Sequence, residues 1–310
     1  MRRSFTLPFA LLPGGLVGGL LGCLLGCSAA KDAGQGTHGS DAGGEGGLVI
    51  PEDGGGGLTT DGDVEGGVVV DPCPEELKEI YVVTNGNALY RFAPATVTFT
   101  KIGNLSCPAG FATPFSMAVD RKGTAWVLFS DGKMYQVSTK DASCKATSFA
   151  VGQSGFATFG MSFARDGAGE TLYVADYNGK GIAKIDTTTL KLSFIGSYGT
   201  TAGSGELTAR GEQLFGFFNS TGGLPTRVAM IEKMTGKLGT VRNLTGVTIG
   251  SGWAFAHWGG TFWLFHAPSS SSQVTEYDFE KMTTKTAKTG LGFVIVGAGV
   301  STCAPTERPK

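Results

Sequence analysis

Short apolar runs, separated by Gly, Asn, Asp and Ser, follow one another along the chain from Glu79 onwards. Many runs alternate apolar and polar positions, the period of a half-buried β-strand, and none has the spacing of a long amphipathic helix. Turn-forming residues between such runs favour tight connections between strands. The pattern therefore predicts an all-β domain.

One apolar run recurs with an aromatic residue at its centre. The aromatic residues are separated by 45, 47, 42 and 48 residues, and they are Tyr81, Trp126, Tyr173, Phe215 and Trp263. A turn, a second run and a third, less apolar run follow each of them, and a run of small residues precedes four of them. Regular spacing of this kind predicts repeated supersecondary units, here with four strands each.

Five such units predict a β-propeller with five four-stranded blades, because radial repetition leaves few strand edges exposed. The first unit lacks its leading run, and the end of the chain supplies a spare one at Gly292–Val300. We therefore expect the C-terminal strand to complete the first blade and close the ring.

The tetrapeptide GFAT occurs at Gly110–Thr113 and again at Gly155–Thr158. Each copy stands where the chain crosses to the next blade, and glycine recurs at the other crossings, where a sharp turn with positive φ is expected. GFAT is thus interpreted as a structural repeat. The crossings share a face with the turns that follow the aromatic strands, and this face commonly carries the binding site in propellers.

The segment Leu172–Gly196 resembles the YVTN repeat of bacterial surface and periplasmic propellers. It has a Tyr-Val strand, an Asn/Gly turn, a strand that ends in Ile-Asp and a closing strand that ends in Gly. Ile80–Gly103 matches more loosely, with Arg91-Phe92 in place of Ile-Asp. Those families usually have about six or seven blades, and the five predicted here depart from that pattern. The resemblance therefore implies a propeller but no particular function.

Residues 1–27 read as a secretory signal, with a basic head and an uncharged run. The run ends in Leu-Leu-Gly-Cys at Cys27, and the same four letters end at Cys23; both resemble the lipobox of bacterial lipoproteins. We prefer Cys27 because polar Ser28 and Lys31 follow it. The resemblance implies a lipid-anchored protein of the bacterial cell envelope, at the outer membrane or facing the periplasm. A plain secreted protein is the alternative.

Residues 28–72 are dominated by glycine and acids, with nine Asp or Glu against one Lys. Such a segment cannot bury enough apolar surface to fold, and we expect a disordered tether. Residues 73–310 hold 22 Lys or Arg against 17 Asp or Glu. This mild, scattered excess does not indicate a nucleic-acid partner.

Four cysteines follow the signal, and they allow three disulfide connectivities. Cys73 enters the first blade and Cys303 leaves the strand that completes it, so the topology predicts that these two are joined. Cys107 and Cys144 then form the second pair, on outer strands of neighbouring blades. The chain has no CxxC motif and no Cys/His cluster, and we expect no zinc site.

Candidate site residues are scattered over one face. A polar ring at the ends of the aromatic strands is a candidate for binding a ligand or a divalent ion: Asn85, Asp131, Asp176, Asn219 and His266. Asn-Gly and Asp-Gly also suit tight hairpins, which is the structural alternative. Glu206 opens its leading strand near the axis and is the strongest single candidate, with simple solvation as its alternative.

Aromatic side chains at the crossings are candidates for the mouth of the site: Phe111, Phe115, Phe156, Phe159 and Trp253. The alternative is that each fills a gap between blades.

Two functions remain. The first is a lipid-anchored, non-catalytic binding module for a partner protein, a glycan or an envelope component, expected to be a monomer without a cofactor or metal. The second is a hydrolase or lactonase-type enzyme with a metal in the central funnel. Only Glu206, Asp176 and His266 are available to converge there, so the sequence favours the binding module.

Overall fold

The protein is described by a computed structural model that covers residues 73–199, 202–220 and 223–310. The predicted signal, with Cys27, and the predicted tether at 28–72 lie outside these residues. The described chain forms five four-stranded antiparallel sheets around one axis, a five-bladed β-propeller. No helix within the described ranges is long and apolar enough to cross a membrane.

The strands of blades 1 to 5 follow one another along the chain. Blade 1 contains β1 (Ile80–Thr84), β2 (Ala88–Ala93) and β3 (Thr98–Asn104), and blade 2 contains β4 (Pro114–Val119), β5 (Thr124–Phe129), β6 (Met134–Ser138) and β7 (Cys144–Ala146). Blade 3 contains β8 (Phe159–Asp166), β9 (Gly169–Asp176), β10 (Ile182–Ile185) and β11 (Leu192–Gly196). Blade 4 contains β12 (Gly205–Arg210), β13 (Gln213–Phe218), β14 (Arg227–Ile231) and β15 (Leu238–Asn243). Blade 5 contains β16 (Trp253–Trp258), β17 (Thr261–His266), β18 (Gln273–Asp278) and β19 (Thr283–Lys288), and the last strand is β20 (Ile295–Val300). Two short 3₁₀ turns lie at Glu75–Lys78 and Gln153–Gly155.

The last strand closes the ring, as the sequence predicts. β20 pairs antiparallel with β1 and is the innermost strand of blade 1, with Ile80 opposite Val300 and Val83 opposite Gly297. The innermost strands β20, β4, β8, β12 and β16 each contact the next around the axis. We call the face on which β1, β5, β9, β13 and β17 end the upper face.

Both predicted disulfides are present. Cys73 is joined to Cys303 with a Cα–Cα distance of 5.6 Å, so the start of blade 1 is bonded to the chain that leaves β20. Cys107, in the crossing after β3, is joined to Cys144, the first residue of β7. Disulfides persist in oxidising compartments, and the two bridges indicate a location outside the cytoplasm.

The core lies between the faces of neighbouring blades. The recurrent aromatic residues are all buried, with exposed fractions of 4% or less. Between blades 1 and 5, the Phe92 ring meets Trp263 and Phe265 edge-on at 5.3 and 5.4 Å. Edge-to-face pairs at these distances are favourable beyond the apolar area they bury. The outer strand β19 is mostly exposed, which explains its polar sequence.

Glycine allows the innermost strands to approach one another closely. A Cβ atom added at Gly160 on β8 would lie 2.3 Å from the carbonyl oxygen of Gly205 on β12. At the crossings, Gly110 and Gly155 have φ values of 62° and 81°. The two GFAT copies therefore meet the same backbone requirement, as the sequence predicts.

Candidate functional site

One layer of the axis contains a single large polar side chain. Each innermost strand contributes one residue to the layer, and this residue pairs with the next-to-last residue of the second strand in the same blade. The five residues are Ser116, Gly160, Glu206, Ala254 and Gly297. Four of them are small, which leaves room for the fifth. The Glu206 side chain extends from blade 4 to Ser116 in blade 2, two strands around the ring.

The Glu206 carboxyl group is buried, with 4% of the residue exposed. The Ser116 hydroxyl donates to its Oε2 at 2.8 Å and accepts the backbone N–H of Met161 at 3.2 Å. Burial raises the pKa of Glu206 well above its usual value, and the hydrogen bond from Ser116 opposes this only in part. Glu206 is therefore enclosed at the axis and not a solvated side chain, and its burial favours the neutral form of the carboxyl group.

Three aromatic side chains from three blades stand at the upper end of this layer. The Tyr177 ring meets Phe115 edge-on at 5.1 Å and stacks on Trp253 at 5.8 Å with an interplanar angle of 29°. Phe115 and Trp253 directly precede members of the layer, and Tyr177 directly follows β9. All three are half-buried. We call this cluster the aromatic roof; the indole N–H of Trp253 within it is buried without a hydrogen-bond partner.

The remaining candidate aromatics lie elsewhere. Phe111 is fully exposed on the crossing from blade 1 to blade 2. Phe156 and Phe159 are fully buried in the core between blades 2 and 3, which is the gap-filling alternative. Tyr177 is not among the candidates from the sequence, because the adjacent Asn-Gly pair explains this segment as a hairpin turn.

The residues of the predicted polar ring lie in different environments in the structure. Asn85 and Asp131 are exposed, and the Asp131 carboxylate accepts the backbone N–H of Lys133 at 3.1 Å and its ammonium group at 2.9 Å. The Asp176 Oδ2 atom accepts the backbone N–H groups of Asn178 and Lys180 at 3.1 and 3.0 Å. Such side-chain-to-backbone bonds shape hairpin turns.

His266 makes hydrogen bonds to a strand of its own blade and to the crossing that leads into that blade. It is 1% exposed, and its Nδ1 lies 2.7 Å from the carbonyl oxygen of Thr248 while its Nε2 lies 2.9 Å from the hydroxyl of Thr275. Burial lowers the pKa of His266, and the Thr248 carbonyl offsets part of this effect. A neutral ring that donates from Nδ1 to Thr248 and accepts at Nε2 fits these contacts.

Glu206, Asp176 and His266 do not meet in one site. Each makes its hydrogen bonds with different partners, and no group of three or more His, Cys, Asp or Glu side chains in the described ranges is arranged to hold a metal. The funnel metal centre of the hydrolase alternative therefore has no ligand set among these residues.

Solved structures similar to this chain are propeller-containing proteins of different kinds. A nidogen/laminin complex is 10% identical, with 71% of this chain and 97% of that chain covered and a TM-score of 0.47. The PQQ-bound aldose sugar dehydrogenase of Streptomyces coelicolor is 9% identical, with coverages of 68% and 76% and a TM-score of 0.41. The Dos1 propeller is 11% identical, with coverages of 68% and 56% and a TM-score of 0.40. No family model and no curated protein sequence matches the chain.

Proposed function

We propose that this propeller is a non-catalytic binding module of the bacterial cell envelope, and that a lipid on Cys27 anchors it to a membrane. Its partner is a protein, a glycan or another envelope component, which docks on the upper face. The disulfides support the oxidising side of the membrane. The lipid anchor rests on the Leu-Leu-Gly-Cys signal alone.

The aromatic roof is the observation that carries the binding role. Binding sites combine aromatic surface with a few polar groups, and Tyr and Trp present a large, rigid contact area at low entropic cost. Phe115, Tyr177 and Trp253 offer this surface at the upper end of the axial layer, where side chains from three blades meet. Fully exposed Phe111 adds apolar surface on the same face.

The hydrolase alternative receives less support from the geometry. A general acid or nucleophile must come within hydrogen-bond reach of its substrate. The two axial groups that suit such roles, Glu206 and Ser116, are enclosed and bonded to each other.

The test is the retention of the full-length protein on immobilised envelope fractions: peptidoglycan, polysaccharide and envelope proteins. A Tyr177→Ala/Trp253→Ala variant should lose retention on the fraction that holds the wild type. Met234→Ala is the matched control, because Met234 is 86% exposed but lies in the β14–β15 turn on the opposite face. Equal retention of the double variant, or no retention of the wild type on any fraction, would overturn the proposal.

A further inference from the structure

A cleft lies between blades 5 and 1, on the face opposite the upper face. Its volume is about 470 Å³, within the range of about 300–1,000 Å³ that is usual for ligand pockets. The outer strand β19, the turn between β2 and β3 and the end of the chain surround it. Most of its lining is apolar, and these side chains are Pro94, Val97, Trp258, Trp263, Ala287 and Pro309. We call it the Trp258 cleft.

Blade 5 departs from blade 2 at this cleft. The recurrent aromatic residue of blade 2, Trp126, donates its indole N–H to the Asp120 carboxylate at 3.1 Å. The strand register places Trp258 of blade 5 where blade 2 has Asp120. The indole N–H of Trp263, the recurrent aromatic residue of blade 5, is accordingly buried without a hydrogen-bond partner among the described residues. Blade 5 therefore gives up an internal hydrogen bond and gains a second indole at the cleft.

The charged groups around the cleft leave a positive charge uncompensated. Glu276 forms an ion pair with Arg308, so these two lining residues cancel each other. Lys285 lies opposite Glu276 on β19 and also lines the cleft, and within the described ranges no carboxylate pairs with it. Lys288, on the same strand, donates only to the neutral carbonyl of Val97, at 3.3 Å. The electrostatics of this side of the cleft therefore favour an anion.

We propose that the Trp258 cleft binds a small amphipathic anion, with a flat apolar body against the indole rings and a single acidic group at Lys285. Ligand pockets combine apolar and aromatic surface with a few polar groups that fix the orientation of the ligand. A lysine ammonium group is a compact point charge, which suits one carboxylate, sulfonate or phosphate group. The cleft and the aromatic roof are on opposite faces, so this proposal is independent of the proposed binding function.

The test is a fluorescence titration of the full-length protein with two dyes that differ by one charge. Anilinonaphthalene sulfonate is a flat apolar anion, and phenylnaphthylamine is the same molecule without the sulfonate group. For a ligand of this size the anion should bind with a Kd of about 10⁻⁵ to 10⁻⁴ M.

Reversing the charge of Lys285 tests the acidic group of the ligand. Lys285→Glu should weaken binding of the anion by about fivefold to tenfold, because an attraction becomes a repulsion, and should change binding of the neutral dye little. Lys145→Glu is the matched control and should change neither, because Lys145 is exposed and has the same register position in blade 2.

Two further variants test the apolar part of the cleft. Trp258→Ala should weaken binding of both dyes. Val97→Asn should do so without strain in the backbone, because Val97 has a φ of 53°, which Asn adopts more readily than Val. Thermal unfolding of each variant establishes that it is folded, and Tyr177→Ala reports dye bound at the aromatic roof instead.

Three results would rule the proposal out. One is an affinity for the anion that Lys285→Glu leaves unchanged. Another is a loss of dye binding in Tyr177→Ala but not in the two apolar variants of the cleft. The third is a wild-type protein that binds neither dye at about 1 mM.

Discussion

Glu206→Gln should change how the stability of the propeller depends on pH. Burial raises the pKa of Glu206 well above its usual value, although the Ser116 hydrogen bond lowers it in part. The folded protein therefore keeps this proton at pH values where the unfolded chain has lost it. The contribution of Glu206 to the free energy of unfolding is fully present below the pKa of the unfolded chain, about 4.3, and is lost as the pH rises through the pKa of the folded protein. Glutamine is neutral at every pH, so the variant does not lose this part of the free energy of unfolding.

The magnitude follows from proton linkage. Wild type loses about 1.4 kcal/mol of unfolding free energy for each pH unit between the unfolded and the folded pKa of Glu206. For a domain of this size, 1 kcal/mol corresponds to about 2–4 °C in melting temperature. The melting temperature of the variant should therefore gain about 3–5 °C on wild type per pH unit until the folded pKa is reached.

The assay is thermal unfolding, followed by circular dichroism, of both proteins from pH 4 to pH 9. Glu212→Gln serves as the control, because Glu212 is exposed in the turn between β12 and β13 and the same change of charge there tests the general effect. If the difference in melting temperature between wild type and Glu206→Gln does not vary with pH, the reasoning is refuted. A wild type that gains stability over the variant as the pH rises would also refute it, because that requires an ionised carboxylate with a partner in the folded state.

The other predictions concern the two chain ends and the axis. Cys303→Ser should lower the free energy of unfolding by about 5 kcal/mol in the chain-entropy estimate for so long a loop; peptide mapping that joins Cys73 to a different cysteine would contradict it. Gly160→Ala should destabilise or prevent folding, because its Cβ would clash with a backbone oxygen, while Gly169→Ala, where the nearest atom is 3.7 Å away, should be tolerated. Mass spectrometry of the membrane fraction should find a diacylglyceryl group on an N-terminal Cys27, and an unmodified soluble protein would argue against the anchor.

The blade count could be predicted because each blade repeats the same physical requirement. A buried aromatic residue recurs in the strand beside the innermost one, so its spacing along the chain measures the length of a blade. The closing strand could be predicted by elimination, because blade 1 lacked a leading strand and Gly292–Val300 had no other place. Both inferences use patterns local to one repeat.

The site could not be predicted in the same way, because it depends on contacts between repeats. Ser116 and Glu206 are 90 residues apart in sequence and belong to blades that are not neighbours. Phe159 and Trp253 are each the first residue of an innermost strand, but the first is buried in the core and the second stands in the aromatic roof. Which way each side chain turns depends on the neighbouring blade, and the local sequence carries no signal for it.

The way the ring closes also determines how the domain responds to a pulling force. Chain that precedes residue 73 is covalently continuous with Cys73, and Cys73 is bonded to Cys303 just beyond β20. Tension applied from the N-terminal side therefore divides between the start of β1 and the end of β20, which are paired strands of one sheet. The bridge prevents these two strands from being drawn apart, so blade 1 resists as a unit. A protein suspended by its N-terminal segment would keep its ring closed under loads that peel a single strand from an unbridged propeller.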